Sequence, residues 1–293
     1  MPATSRMGSL ITSTAGVQVP GILYGTAWKK GDTASLVRTA IGLGFRGIDT
    51  ACQPRYYHEA GVGGGIAACL RDGPAWDGLL AREDLYLQTK FTPLSGQDPA
   101  QMPYDPKAAL PEQVRQSVAL SLRNLQTDYL DGLLLHSPLP GARQTLEAWQ
   151  AMESSVDAGS VRQLGISNCR LEQLQALCDA ARIKPAVVQN RFHADSGYDR
   201  ELRSFCRQHR LIYQSFWTLS ANPHILAHGA VTGLASKHRR TPAQILFRYL
   251  AHIEVVPLTG TRTETHMREG LEIFAFELSE LEQHAMDAVF CLQ

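Results

Sequence analysis

The run Gly44-Phe45-Arg46-Gly47-Ile48-Asp49-Thr50-Ala51 ends a short apolar strand on a carboxylate, and Tyr56-Tyr57-His58-Glu59 and Val62-Gly63 follow close behind. A polar loop after a strand that stops at an acid predicts one strand–loop–helix unit with chemistry at the strand's end. Seven further units of the same kind lie along the chain. Strands are expected at Gly21–Tyr24, Gly47–Asp49, Leu85–Thr89, Tyr129–Leu135, Gln163–Ile166, Ala186–Gln189, Leu211–Gln214 and Val255–Leu258. Between and after them, apolar residues recur at three- and four-residue intervals near 32–43, 59–71, 110–126, 143–157, 170–181, 198–209, 223–236 and 262–272. Two more helices are expected, one led by Thr241-Pro242 and one over Leu278–Val289.

Eight βα units in series, with no linker or composition break, predict an α/β fold, a closed (β/α)8 TIM barrel in one domain spanning residues 1–293, with a flexible N-terminal segment 1–15. The segment from Thr92 to Tyr104, rich in Pro and Gly, reads as a loop after the third strand. With 28 basic and 28 acidic side chains the chain has no electrostatic bias toward nucleic acid or an anionic membrane, so neither is an expected partner. No window approaches the apolar length of a membrane span, and Met1–Gln18 lacks the apolar stretch of a signal peptide, so a soluble, cytoplasmic protein is expected. Cys52, Cys69, Cys169, Cys178, Cys206 and Cys291 are scattered without a metal-binding spacing and are expected to be free thiols.

Catalytic groups of such barrels stand at the C-terminal strand ends. Asp49, Lys90 and His136 fall there on three successive strands, with Tyr56 or Tyr57 on the loop between the first two. Taken singly, such an Asp is more often a cap, such a Lys a solvated rim charge, and such a His a packed core residue. Together they outline a carbonyl-reducing site. A phenol needs a neighbouring cation to lower its pKa and make it a proton donor, Lys90 supplies that cation, Asp49 balances it, and His136 orients the carbonyl oxygen.

The chain closely resembles the aldo-keto reductase superfamily from about Val19 to Phe276, with an extended Cys52–His58 loop similar to fungal members. The resemblance is carried by Gly44–Ala51, Thr89-Lys90, Tyr129-Leu130-Asp131 leading to Leu135-His136, Gly165-Ile166-Ser167-Asn168 and Gln189. It implies reduction of an aldehyde or ketone with NADPH, with NADH as a second possible cofactor, and a tetrad of Asp49, Tyr57 (or Tyr56), Lys90 and His136 without a metal. It also implies that Ser167, Asn168 and Gln189 hold the nicotinamide carboxamide, that Phe216 stacks on the ring, and that Thr259-Gly260-Thr261-Arg262 forms a phosphate-binding turn assisted by Arg268. Core packing is the competing role for Phe216, and solvated helix charge for the two arginines. Leu258 stands where many members have a lysine on the cofactor phosphate, and Gly270 replaces an asparagine often found near the adenine. Trp28 and Trp217 are candidate walls of a pocket for a small-molecule carbonyl substrate. A cofactor-binding regulatory protein of the same fold is the alternative; a metal-dependent hydrolase is disfavoured by the absence of an HxH pair.

Overall fold

A computed structural model describes residues 9–72 and 80–291. Strands Leu23–Gly25 (β3), Gly47–Asp49 (β4), Tyr86–Phe91 (β5), Gly132–Leu135 (β6), Leu164–Ser167 (β7), Val187–Arg191 (β8), Ile212–Phe216 (β9) and Val255–Thr259 (β10) close a barrel in the order β10-β3-β4-β5-β6-β7-β8-β9, every neighbour parallel. All eight expected strands are present, several running one or two residues further toward the mouth. An antiparallel hairpin of Leu10–Thr12 (β1) and Gln18–Pro20 (β2) precedes them. Of the segment expected to be flexible, 1–15, residues 1–8 lie outside the described residues and Leu10–Thr12 are this paired strand.

The expected helices follow their strands, with two differences. The helix expected over 198–209 begins at Arg200, because Tyr198 and Asp199 take left-handed backbone and Asp199 turns its carboxylate to Asn190 Nδ2 (2.6 Å) and Tyr213 Oη (3.0 Å). The helix expected over 223–236 is divided into Pro223–Leu226 and Gly229–His238, where the His228 ring accepts the Ala230 N–H and starts the second piece. Pro242 occupies the first turn of Pro242–His252, capped by Thr241.

Strand side chains alternate between the helices and the lumen, and the lumen is layered. At its floor Val19 of the hairpin packs with Leu23, Tyr86, Leu134, Val187, Ile212 and Val256. One layer higher the inward positions become Gln88, Gln189 and Gln214, all at most 2% exposed. Gly47 and Gly132 face inward where a Cβ would press on the ends of the Leu23 and Tyr86 side chains. The larger apolar cluster lies between barrel and helices, around Ile48, Phe91, Leu133, Trp149 and Ile166. Among the described residues no helix is long and apolar enough to cross a membrane, and no group of three or more His, Cys, Asp or Glu is placed to hold a metal. Cys52, Cys69, Cys169, Cys178 and Cys206 are free; the side chain of Cys291 lies outside the described residues.

Candidate active site

Above the glutamine layer, β4 and β5 bring Asp49 and Lys90 together. Lys90 Nζ donates to Asp49 Oδ1 (2.8 Å), Asp49 Oδ2 (2.7 Å) and the Thr50 carbonyl (2.8 Å), and both side chains are almost fully buried. Asp49 Oδ1 also accepts from Gln88 Nε2 (2.7 Å) and Gln189 Nε2 (2.9 Å). Both amides bond on to Gln214 Oε1, each at 2.9 Å, and Tyr86 Oη donates to Gln88 Oε1 at 2.7 Å. The carboxylate is therefore held from every side by donors rooted in the barrel, which is how a buried charge is tolerated.

The two tyrosines separate clearly. The Tyr57 ring lies 5.4 Å from Lys90 Nζ and edge-on to His136 at 6.1 Å between ring centroids. Its hydroxyl makes no hydrogen bond among the described residues. Tyr56 turns away to pack on Trp28 at 4.3 Å, with the Arg55 guanidinium over its ring at 5.1 Å.

The electrostatics depart from the sequence expectation in one respect. Burial and the Asp49 charge push the Tyr57 phenol above its ordinary pKa rather than below it. Burial of the phenol is the larger cause; Asp49, hydrogen-bonded to Lys90, adds to it and offsets the ammonium that was expected to draw the proton off, while burial lowers the pKa of Lys90 itself. Burial, aided by Lys90, lowers His136 to about 3, so the imidazole is neutral. Thr92 Oγ1 lies 2.6 Å from His136 Nδ1, the only acceptor among the described residues for that hydroxyl. With Thr92 as the donor in this pair, Nε2 carries the imidazole hydrogen.

Ser167, Asn168 and Gln189 adjoin the cluster across β7 and β8. Ser167 Oγ donates to the Gln189 carbonyl (2.6 Å), and Asn168, in left-handed backbone at φ 54, donates to the His136 carbonyl (2.9 Å). Helix Leu171–Ala180 starts from Arg170, so the Ser-Asn pair is free of a capping role. Phe216 ends β9 half-buried at the mouth, edge-on to Trp217.

The turn after β10 sits beside β3. The Gly260 carbonyl accepts Lys29 Nζ (2.6 Å), the Thr261 carbonyl accepts Tyr24 Oη (3.0 Å), and Thr259 closes the strand. Thr263 caps helix Glu264–Leu271. Arg262 is bonded to Asp32 and reaches the Trp28 carbonyl, whereas Arg268 stays on its own helix with Glu264 at 3.6 Å. Arg268 is therefore not gathered with the turn. Lys29 is the residue that sequence reading missed. It is 2% exposed with no carboxylate partner among the described residues, and burial, helped by Arg262, lowers it to about 8. Only the pairing of β3 with β10 brings it to Gly260. A basic residue following Trp28 was visible, but its neighbour across the barrel seam was not.

A closed parallel barrel that gathers a buried Asp–Lys pair, a phenol and an imidazole at the C-terminal mouth is a TIM barrel of the kind that carries enzyme sites at its strand ends. The model of the aldo/keto reductase family matches residues 21–290, and the chain belongs to that family, an NAD(P)H-dependent reductase. It is 30% identical over 288 residues, 98% of this chain and 94% of the relative, to the uncharacterized oxidoreductase YtbE of Bacillus subtilis strain 168. It is 32% identical over 253 residues, 86% of this chain and 82% of the relative, to glyoxal reductase of the same strain. Among solved structures, the Bombyx mori aldo-keto reductase in complex with NADP superposes with a TM-score of 0.80 at 25% identity, covering 97% of this chain and 93% of that one.

Proposed function

We propose that the protein reduces an aldehyde or ketone to an alcohol, with NADPH as the hydride source and Tyr57 as the proton donor. The observation that carries this reading is the convergence of Asp49, Lys90, Tyr57 and His136 at one mouth of the barrel. Ser167, Asn168 and Gln189 offer fixed donors and acceptors suited to a carboxamide. Lys29, buried beside Gly260 with no carboxylate partner among the described residues, suits a phosphate and supplies the cation that Leu258 lacks. Preference for NADPH over NADH rests on Arg262 exchanging Asp32 for a 2′-phosphate. Bound there, the cofactor supplies hydride to the carbonyl carbon.

The remaining work falls to this chain's own side chains. His136 donates its Nε2 hydrogen to the carbonyl oxygen and fixes the face presented. Tyr57 keeps its proton until negative charge grows on that oxygen, because its phenol is pushed up in the resting site. As the proton leaves, the Lys90 ammonium, 5.4 Å from the centre of the Tyr57 ring, offsets the charge of the forming phenolate, and Asp49 holds the ammonium in place. The five described free cysteines suit a reducing, cytoplasmic compartment.

The test is a titration with NADPH and with NADH followed by tryptophan fluorescence, then a panel of aldehydes and ketones with cofactor absorbance as readout. Tight NADPH binding with turnover that Tyr57→Phe abolishes supports the reading. Binding without turnover across the panel counts against it, and no binding of either nucleotide overturns it.

A further inference from the structure

Along β8 the inward positions alternate from Val187 to Gln189 to Arg191, while Asn190 points outward to Cys169 and Asp199. Arg191 therefore stands on the lumen side one step above Gln189, at the mouth, and is exposed. Its guanidinium rests over the Trp217 ring at 4.8 Å and has no carboxylate partner among the described residues. Most other arginines near strand ends here are paired, as Arg262 is with Asp32. Trp217 is itself 51% exposed and held in left-handed backbone at φ 55, as Trp28 is at φ 64 and 54% exposed. A bulky residue takes that conformation at a cost of about 1–2 kcal/mol, so these flat apolar faces are fixed toward the mouth rather than folded into the core.

We propose that Arg191 is an anion-binding residue of the substrate pocket, so that the preferred carbonyl compounds carry a carboxylate or phosphate group beyond a flat apolar body. The proposal rests on the reductase reading above. An unpaired guanidinium braced on an aromatic face presents its remaining N–H donors in the fixed fork that oxyanions match. The cofactor's diphosphate is the other anion that could meet it. Substrate is favoured because the turn at Gly260, where the diphosphate is proposed to sit, has its own cations in Lys29 and Arg262.

The experiment compares 4-carboxybenzaldehyde with benzaldehyde in the full chain and in Arg191→Gln, with the NADPH Kd measured alongside. The expected result is a kcat/KM ratio of about ten or more in favour of the carboxylated aldehyde, falling toward one in the variant through KM, with the NADPH Kd unchanged. A ratio that survives the substitution overturns the proposal. A weakened NADPH Kd with an unchanged ratio assigns the anion to the cofactor and also overturns it. If the unsubstituted protein binds NADPH but reduces neither aldehyde, the reductase reading fails separately. Benzoate binding to the NADP complex then decides the anion site: loss of that binding in Arg191→Gln supports it, and equal binding refutes it.

Discussion

Replacing Lys90 by methionine tests structure and mechanism at once. Asp49 loses two of its four hydrogen bonds, those from Lys90 at 2.8 and 2.7 Å, and keeps only the amide donors Gln88 and Gln189. The carboxylate stays 2% exposed and no longer has a counter-charge. Breaking a buried pair in this way costs about 3–5 kcal/mol, which for a chain of this size lowers Tm by roughly 10 °C. Turnover falls further than stability alone explains, by about 10²–10⁴-fold, because a phenolate would form without its ammonium. The double variant Asp49→Asn/Lys90→Met separates the two effects. It removes both charges, so stability returns to within about 1 kcal/mol of the starting protein, while carbonyl reduction stays low. Melting curves and steady-state rates on all three proteins are the assay. Full turnover in Lys90→Met, or recovered turnover in the double variant, would refute the assignment of Lys90.

Three further outcomes are expected. Tyr57→Phe lowers kcat by about 10²–10⁴-fold with the NADPH Kd retained, whereas Tyr56→Phe, whose ring packs on Trp28, changes it only a few-fold; the reverse pattern in steady-state rates makes Tyr56 the acid. His136 is held neutral down to about 3, below its ordinary value of 6.5, so its contribution to stability is full above about 6.5 and is lost as pH falls toward 3. Relative to His136→Gln, urea midpoints should therefore drop by the equivalent of about 1.4 kcal/mol per pH unit inside that window, and parallel curves would contradict the neutral imidazole. Lys29 is lowered to about 8 and an anion favours its charged form, so the NADPH Kd should weaken as pH rises past about 8. Lys29→Met should flatten that dependence and weaken binding about tenfold at neutral pH; an unchanged profile removes Lys29 from the phosphate site.

The barrel was legible because its signals are local and repeat. Each strand is a short apolar run, and each helix has its own periodicity and often its own cap, as at Thr241-Pro242. Asp49, Lys90 and His136 could be placed together because the rule that chemistry sits at strand ends needs only the order of strands. What escaped was whatever depends on closure. Lys29 meets Gly260 across 231 positions of sequence, through the seam between β3 and β10. Arg191 reads as an ordinary rim charge until the alternation along β8 and the turn of Trp217 are known. The direction of the Tyr57 shift was missed because a nearby cation was weighed without the burial of the phenol and the charge of Asp49. The choice between Tyr56 and Tyr57 needed side-chain packing that residue spacing does not encode.

A buried ion pair is a poor source of stability, and its value here lies in position. Lys90 cannot leave Asp49 without stranding a charge in the lumen, so its place above the glutamine layer is set by backbone hydrogen bonds of the barrel and not by a loop. Tyr57, in contrast, rides on an extended loop, where a shift of about 1 Å would cost much of the rate. The loop is tied down on three sides. Gln97 Nε2 bonds the Cys52 carbonyl at 2.8 Å, and Gln53 Nε2 bonds the Gly96 carbonyl, so the loops after β4 and β5 lock to each other. Tyr104 Oη closes the second of these loops on the Thr92 carbonyl at 2.8 Å. At the far end Glu59, two residues beyond Tyr57, accepts Thr89 Oγ1 (2.6 Å) and Ser121 Oγ (2.8 Å), fastening the helix start to the strand that carries Lys90. Burial raises the Glu59 carboxyl above its usual range, a cost offset by the hydroxyls of Thr89 and Ser121 that tie the helix start to β5. The loop of Tyr57 and the ammonium of Lys90 are thus both referred to the same strand, β5.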